Sequence, residues 1–156
     1  MKHRHPHRPM RPNALIAIVL AAPSAGAVAA PHFNDYPATS FSDRTGKIRL
    51  EEAKSREYAT MLRDAARRKP DFAGHYILAS WGCGASCTMS AAIDANSGAV
   101  TWLPFTLCCW DANMRAPLDF RTDSRLLIVH GSRDEQGSGV HYYDFDGRRF
   151  AEISGH

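Results

Sequence analysis

FAGHYILASWGCGASCTMSAAID, residues 72–94, decides the fold of this chain. It reads as a strand, a tight tip rich in glycine and cysteine, and a second strand. Side chains alternate with period two across both arms. In the first arm His75, Ile77, Ala79 and Trp81 share one face, and Tyr76, Leu78 and Ser80 the other. In the second, Cys87, Met89, Ala91 and Ile93 oppose Thr88, Ser90, Ala92 and Asp94. That second alternation predicts one buried and one wet side.

Further strands follow toward the C-terminus. Asn96-Ser97-Gly98 is a turn signal, leading to a strand over 99–105 whose Pro104 marks an edge or an end. Residues 107–124 are less regular and hold Cys108, Cys109 and Trp110, whereas 125–130 is a short apolar run expected to form a buried strand. A polar loop is expected over 131–139. Segments 140–145 and 148–153 then flank Asp146-Gly147, a two-residue hairpin signal.

Before the hairpin, residues 50–68 carry helical periodicity, with Tyr58, Met61, Leu62 and Ala65 on one face. Glu51 and Glu52 suit its first turn, Arg67, Arg68 and Lys69 its last, and Pro70 stops it. The basic cluster reads first as a solvated helix end complementing the dipole and second as a binding patch. Residues 30–47 read as an irregular arm with Phe33, Tyr36 and Phe41 docked on the rest. The expectation is a single α+β domain over 48–156. It is an antiparallel β-meander of five or six short strands, with one N-terminal helix packed on one face.

Residues 1–29 describe a secretory signal peptide. Lys2, Arg4, Arg8 and Arg11 precede an apolar stretch at 14–22, and Ala27-Val28-Ala29 supplies the small-residue site. The apolar stretch is far short of the ~20 residues of a spanning helix. Cleavage is expected after Ala29, with Ala27 the alternative. The whole chain of 156 residues carries 19 Lys+Arg and 16 Asp+Glu. Removing the leader takes four basic residues and no acid, leaving 15 against 16, a net of −1. The mature part therefore lacks the positive footprint of a nucleic-acid binder, and His3, His5 and His7 leave with the leader.

Four cysteines, Cys83, Cys87, Cys108 and Cys109, all lie in the exported part, where an even count points to disulfides. Cys83 and Cys87 bracket the hairpin tip and are favoured as a local pair. Cys108 and Cys109 are then either free or a strained adjacent second pair; crossed bridges to them are the alternative, because the chain near 106–109 returns to the same end of the sheet. A thioredoxin-type site needs C-x-x-C at a helix start; here the spacing is C-x-x-x-C between strands. Zinc spacing is absent too.

His75, His130 and His141 fall on three strands, with Asp94, Asp144 or Ser80 as neighbours, but no nucleophile elbow accompanies them. The glycine-rich GCGAS and GSGVH match neither phosphate-binding fingerprint. Asp134 and Glu135 lack the spacing of a calcium loop. Trp102 is expected in the core, and Trp110 to be the exposed aromatic.

The motifs Phe72-Ala73-Gly74-His75-Tyr76, Trp81-Gly82-Cys83-Gly84 with Cys87, Asp94 with Gly98, and Asp123-Ser124-Arg125-Leu126-Leu127 resemble those of a group of uncharacterised small exported bacterial proteins. The resemblance covers most of the chain from Phe72 onward. It implies that the recurring cysteines are those matching Cys83 and Cys87, and that Cys108 and Cys109 are particular to this chain. It brings no catalytic residue, substrate or cofactor. The sequence reading is therefore an exported domain, periplasmic or secreted, that binds an envelope protein or glycan. No catalytic residue, cofactor, metal or nucleic acid is expected, nor a membrane span once the leader is cut. His75, Trp81 and Trp110 are the candidate binding residues. The alternative is a thiol-dependent or hydrolytic enzyme centred on Cys83, Cys87 and His75.

Overall fold

The structure, a computed structural model, describes residues 29–39, 41 and 46–154. The leader expected at 1–29 thus lies outside the described residues, Ala29 excepted.

Two short helices precede the strands: α1 (Ala53–Glu57) and α2 (Ala59–Ala65). The strands are β1 (Tyr76–Gly84), β2 (Cys87–Asp94), β3 (Val100–Trp102), β4 (Leu107–Cys108), β5 (Leu118–Asp119), β6 (Leu126–His130), β7 (Ser132–Arg133), β8 (Val140–Phe145) and β9 (Phe150–Glu152). They form two antiparallel sheets. The first runs β1-β2-β4-β7, with β3 also on β2; the second runs β5-β6-β8-β9.

The apolar residues explain the stacking. Leu78, Ala92, Leu103 and Leu107 of the first sheet's side meet Leu127, Val129, Tyr143, Phe145 and Phe150 of the second. On the opposite face of the first sheet, Ile77, Ala79, Ala91 and Ile93 meet Leu62 of α2, flanked by Ile48, Leu50 and Ala65. The layers are helices, sheet, sheet.

In place of the single meander of five or six strands expected, this α+β, mostly antiparallel architecture has nine short strands among the described residues, split between two sheets. It differs in three further ways. First, β2 has no wet side. Met89, Ser90, Ala91, Ala92 and Ile93 are all buried, because helices cover one face and the second sheet the other. Second, the single helix is two helices parted at Tyr58 (φ −97°, ψ 23°), and it ends at Ala65, before Arg67, Arg68 and Lys69. The helix also begins at Ala53 rather than Leu50, and the chain before it is held by backbone bonds: Gly46 N–H donates to Ala95 O, and Arg49 N–H donates to Gly98 O at 2.8 Å. Gly98 has φ 74°, and any Cβ there would collide with the Lys47 carbonyl.

Third, the polar loop at 131–139 contains β7. Gly131 (φ 109°) steps the chain from the second sheet into the first, where Cys108 pairs with Ser132. A side chain at Gly131 would strike the Cys108 carbonyl, so only glycine permits the step. The 140–153 hairpin forms, but its last pair is Phe145 with Phe150. Asp146 to Arg149 make the connection, braced by Asp146 Oδ1 accepting from the Arg148 and Arg149 amides at 2.8 and 2.9 Å.

The arm docks more by backbone than by rings. Arg125 N–H donates to Tyr36 O at 2.8 Å, and Ala38 N–H to Asp123 O at 2.9 Å. The buried Ser124 hydroxyl lies 2.8 Å from Phe33 O and 2.9 Å from Tyr36 O. Phe41, by contrast, is 63% exposed.

Candidate functional site

β1 is an edge strand, and its outward hydrogen-bonding groups belong to residues of one parity. Tyr76 N–H donates to Phe72 O at 2.9 Å, and Tyr76 O accepts from the Asp71 and Phe72 amides, both at 3.0 Å. Two residues on, side chains stand in for a strand: Leu78 N–H donates to Asp71 Oδ1 at 2.8 Å, and Arg68 Nη2 donates to Leu78 O at 2.7 Å. Arg68 and Asp71 hold one another at 3.5 Å. The next residues of that parity are Ser80 and Gly82, each exposed. Among the described residues nothing pairs with their outward amides and carbonyls.

Beside this uncovered run lies a groove of about 310 Å³ between α2 and β1, lined by Met61, Ala65, Arg68, Ser80 and Trp81 among others. Trp81 is the aromatic residue in its wall and belongs to a three-ring cluster. Trp81 lies 5.7 Å from Tyr58 and 5.7 Å from Trp102, centroid to centroid, and Tyr58 lies 5.8 Å from Trp102. Lys54 Nζ sits 4.4 Å over the Trp102 ring, whose indole N–H reaches Ser55 Oγ at 3.4 Å. Trp81 Nε1 is buried with no acceptor among the described residues, and burying such a donor unpaired costs about 1–3 kcal/mol. Met61, placed by the sequence on the apolar helix face, is 47% exposed at the groove's rim.

Beyond Trp81, β1 runs into the stapled tip. Cys83 and Cys87 form a disulfide with their Cα atoms 5.2 Å apart. The ladder skips Cys83, Gly82 pairing with Thr88 and Gly84 with Cys87. Cys108 and Cys109 are unbridged, the first buried and the second exposed. They do lie at the same end of the sheet, since Leu107 pairs with Thr88. The hydrogen bond with Cys109, then burial, pushes the Cys108 thiol above its ordinary value, with Ser132 pulling the other way. A thiol held protonated is a poor nucleophile. Trp110 is half-buried, its backbone packed on Gly131.

His75, His130 and His141 do not converge; each of the three keeps its own carboxylate. His75 lies 3.5 Å from Asp94, His130 2.9 Å from Asp119, and His141 3.9 Å from Glu152. His75 precedes β1 rather than lying on it. It borders a second cavity of about 160 Å³, with Thr39, Tyr76, Arg125 and Asp146 also in its wall. Asp94 is committed elsewhere: it accepts from the Asn96 and Ser97 amides at 2.8 and 3.3 Å and from the Ser97 hydroxyl at 2.6 Å. Burial pushes its carboxyl up, but Ser97, Asn96 and His75 together outweigh burial and hold it below the ordinary value. That is the chemistry of a locked turn. Ser80 is turned to Ser90, the hydroxyls 2.8 Å apart.

Among the described residues no group of three or more His, Cys, Asp or Glu side chains is placed to hold a metal ion. Nor is any helix long and apolar enough to cross a membrane. In comparisons with known proteins, no family model, curated protein or solved structure matches this chain.

Of the residues around this groove, Trp81 and the cysteine tip stand out in the sequence, Tyr58 and Arg68 read there only as helix residues, and Asp71 and the run at Ser80–Gly82 do not stand out. The one available signal was the break between Arg68 and Asp71, where the helical pattern stops at Pro70 just before an edge strand begins.

Proposed function

We propose that this protein is an exported domain, periplasmic or secreted, that binds an envelope protein or glycan and does not catalyse a reaction. The observation that supports this best is the run of β1 at Ser80–Gly82 beside the Trp81 groove: backbone groups unpaired among the described residues adjoin a wall that includes Trp81 and Met61. Exposed apolar surface rimmed by polar groups marks an interaction site. A disulfide at the tip fits an oxidising compartment, and it keeps the edge extended before a partner arrives, which lowers the ordering cost of binding.

The enzymatic alternative at Cys83, Cys87 and His75 has less support. The two sulfurs are spent on one another, and the partner of His75 is spent on a turn.

Cell fractionation followed by non-reducing peptide mapping tests the export half. The expected product starts at Ala30, carries Cys83 linked to Cys87, and leaves Cys108 and Cys109 open to alkylation. Recovery from the cytosol with residues 1–29 intact and all four thiols reduced overturns it. Turnover of a defined substrate, abolished by His75→Ala at equal folded yield, overturns the non-enzymatic half.

A further inference from the structure

We infer that the bare edge of β1 takes an extended acidic peptide segment as an added strand, seating a large apolar side chain between α2 and Trp81. This rests on the reading of the protein as a binding domain and names the partner's chemistry. Strand addition needs amides and carbonyls in register, and the edge offers those of Ser80 and Gly82. Natural edges are commonly guarded by Lys, Pro or a bulge. Residues 80–82 are Ser, Trp and Gly, with no charge or proline, and the irregularity at Cys83 comes only afterwards.

A strand laid along this edge points alternate side chains to the helix side. There they meet the groove lined by Met61, Ala65 and Trp81.

Charge selects the occupant. The groove wall itself carries Arg68 against Asp64, and the helix end and turn beside it add Arg63, Arg67 and Lys69 against Asp71, a local net of +2 over 59–71. Arg67 and Arg68 keep side-chain exposures of 81% and 49% despite their ion pairs. A second copy of this chain would bring the same positive field to the same edge. Acidic side chains flanking an apolar one complement it.

The test uses isotope-labelled mature chain and three short synthetic peptides: one alternating Glu with Val and Phe, one with Lys replacing Glu, and the first N-methylated at alternate amides. The acidic peptide should shift the Ser80 and Gly82 amide resonances, slow their exchange with solvent and change tryptophan emission. The Lys peptide should bind about tenfold more weakly, and the N-methylated one should not bind. Gly82→Pro removes an outward donor without touching the β1–β2 ladder, and should abolish binding. Met61→Glu, at an exposed position where folding is not at stake, should weaken it about tenfold.

Unmoved Ser80 and Gly82 amides overturn the inference, as does equal binding of the N-methylated or the Lys peptide. Self-association lost in Gly82→Pro would assign the edge to a second copy and equally overturn it. If an oligosaccharide perturbs Trp81 while all three peptides fail, strand addition is overturned but the binding-domain reading stands.

Discussion

The two halves of β1 are the same edge treated in opposite ways. At Tyr76 and Leu78 every outward backbone group is taken, first by Phe72 and Asp71 and then by the side chains of Asp71 and Arg68. At Ser80 and Gly82 none is taken among the described residues. The covering residues all lie within about ten positions before the strand, in the chain that leaves α2 and turns back on itself. Local sequence can shield only as much edge as it can reach. Where it stops, a disulfide keeps the strand extended but pairs with nothing. The covered half is a product of folding economy, and the bare half is where an outside partner has room.

The largest way to break this contrast is Phe72→Ala. Phe72 is fully buried and packs with Phe120, Phe145 and Phe150 at 6.0, 5.3 and 6.2 Å between ring centroids. Truncation should cost about 3–5 kcal/mol, measured by urea denaturation. It should also release the Tyr76 amide to exchange, making the first half resemble the second. A loss under about 1 kcal/mol would mean that the covered half does not depend on its aromatic plug.

A smaller effect is expected from removing the staple. Cys83→Ser with Cys87→Ser opens a very short loop, so the loss should be about 2 kcal/mol, at the low end for disulfides. The consequences should stay local: faster exchange at the tip, unchanged protection at Leu78. If Leu78 loses protection as well, the halves are one cooperative unit and the contrast fails.

How much of this was legible depends on what each signal reports. The alternation along β2 sorted its faces correctly, Ala91 and Ile93 toward the helices and Ala92 toward the second sheet. It misjudged their wetness because Thr88 and Ser90 look like solvent residues. Ser90 is 1% exposed, its hydroxyl on Ser80 and its carbonyl on Leu103 N–H at 2.9 Å. β7 was invisible because Ser132 and Arg133 have no strand character of their own; Gly131 and the waiting edge of β4 create it. The site was half legible for a related reason. Trp81 and the cysteine tip are features of composition and spacing, whereas being an edge is a property of strand order, which no local pattern encodes.

The finest expected effect sets two carboxyls of these elements against each other. Burial lifts Asp71 above its ordinary 3.8, even though the Leu78 amide and Arg68 pull it down. Asp94, beside His75, lies below 3.8 because the Ser97 hydroxyl and the Asn96 and Ser97 amides outweigh burial. A lowered folded value gives stability that is present above the unfolded value and lost as pH falls through the folded one. A raised value gives stability that is present below the unfolded value and lost as pH rises through the folded one. Asp94→Asn should therefore flatten the loss of stability below about pH 4, and Asp71→Asn should remove a decline that sets in above about pH 4. Urea midpoints across that range read the slopes, so any constant offset from the substitutions drops out. Slopes changing in the same direction would remove the distinction. Opposite slopes would place Asp71 where the edge is covered at a cost: its carboxyl oxygen accepts the Leu78 amide in either protonation state, while only the ionised form pairs with Arg68.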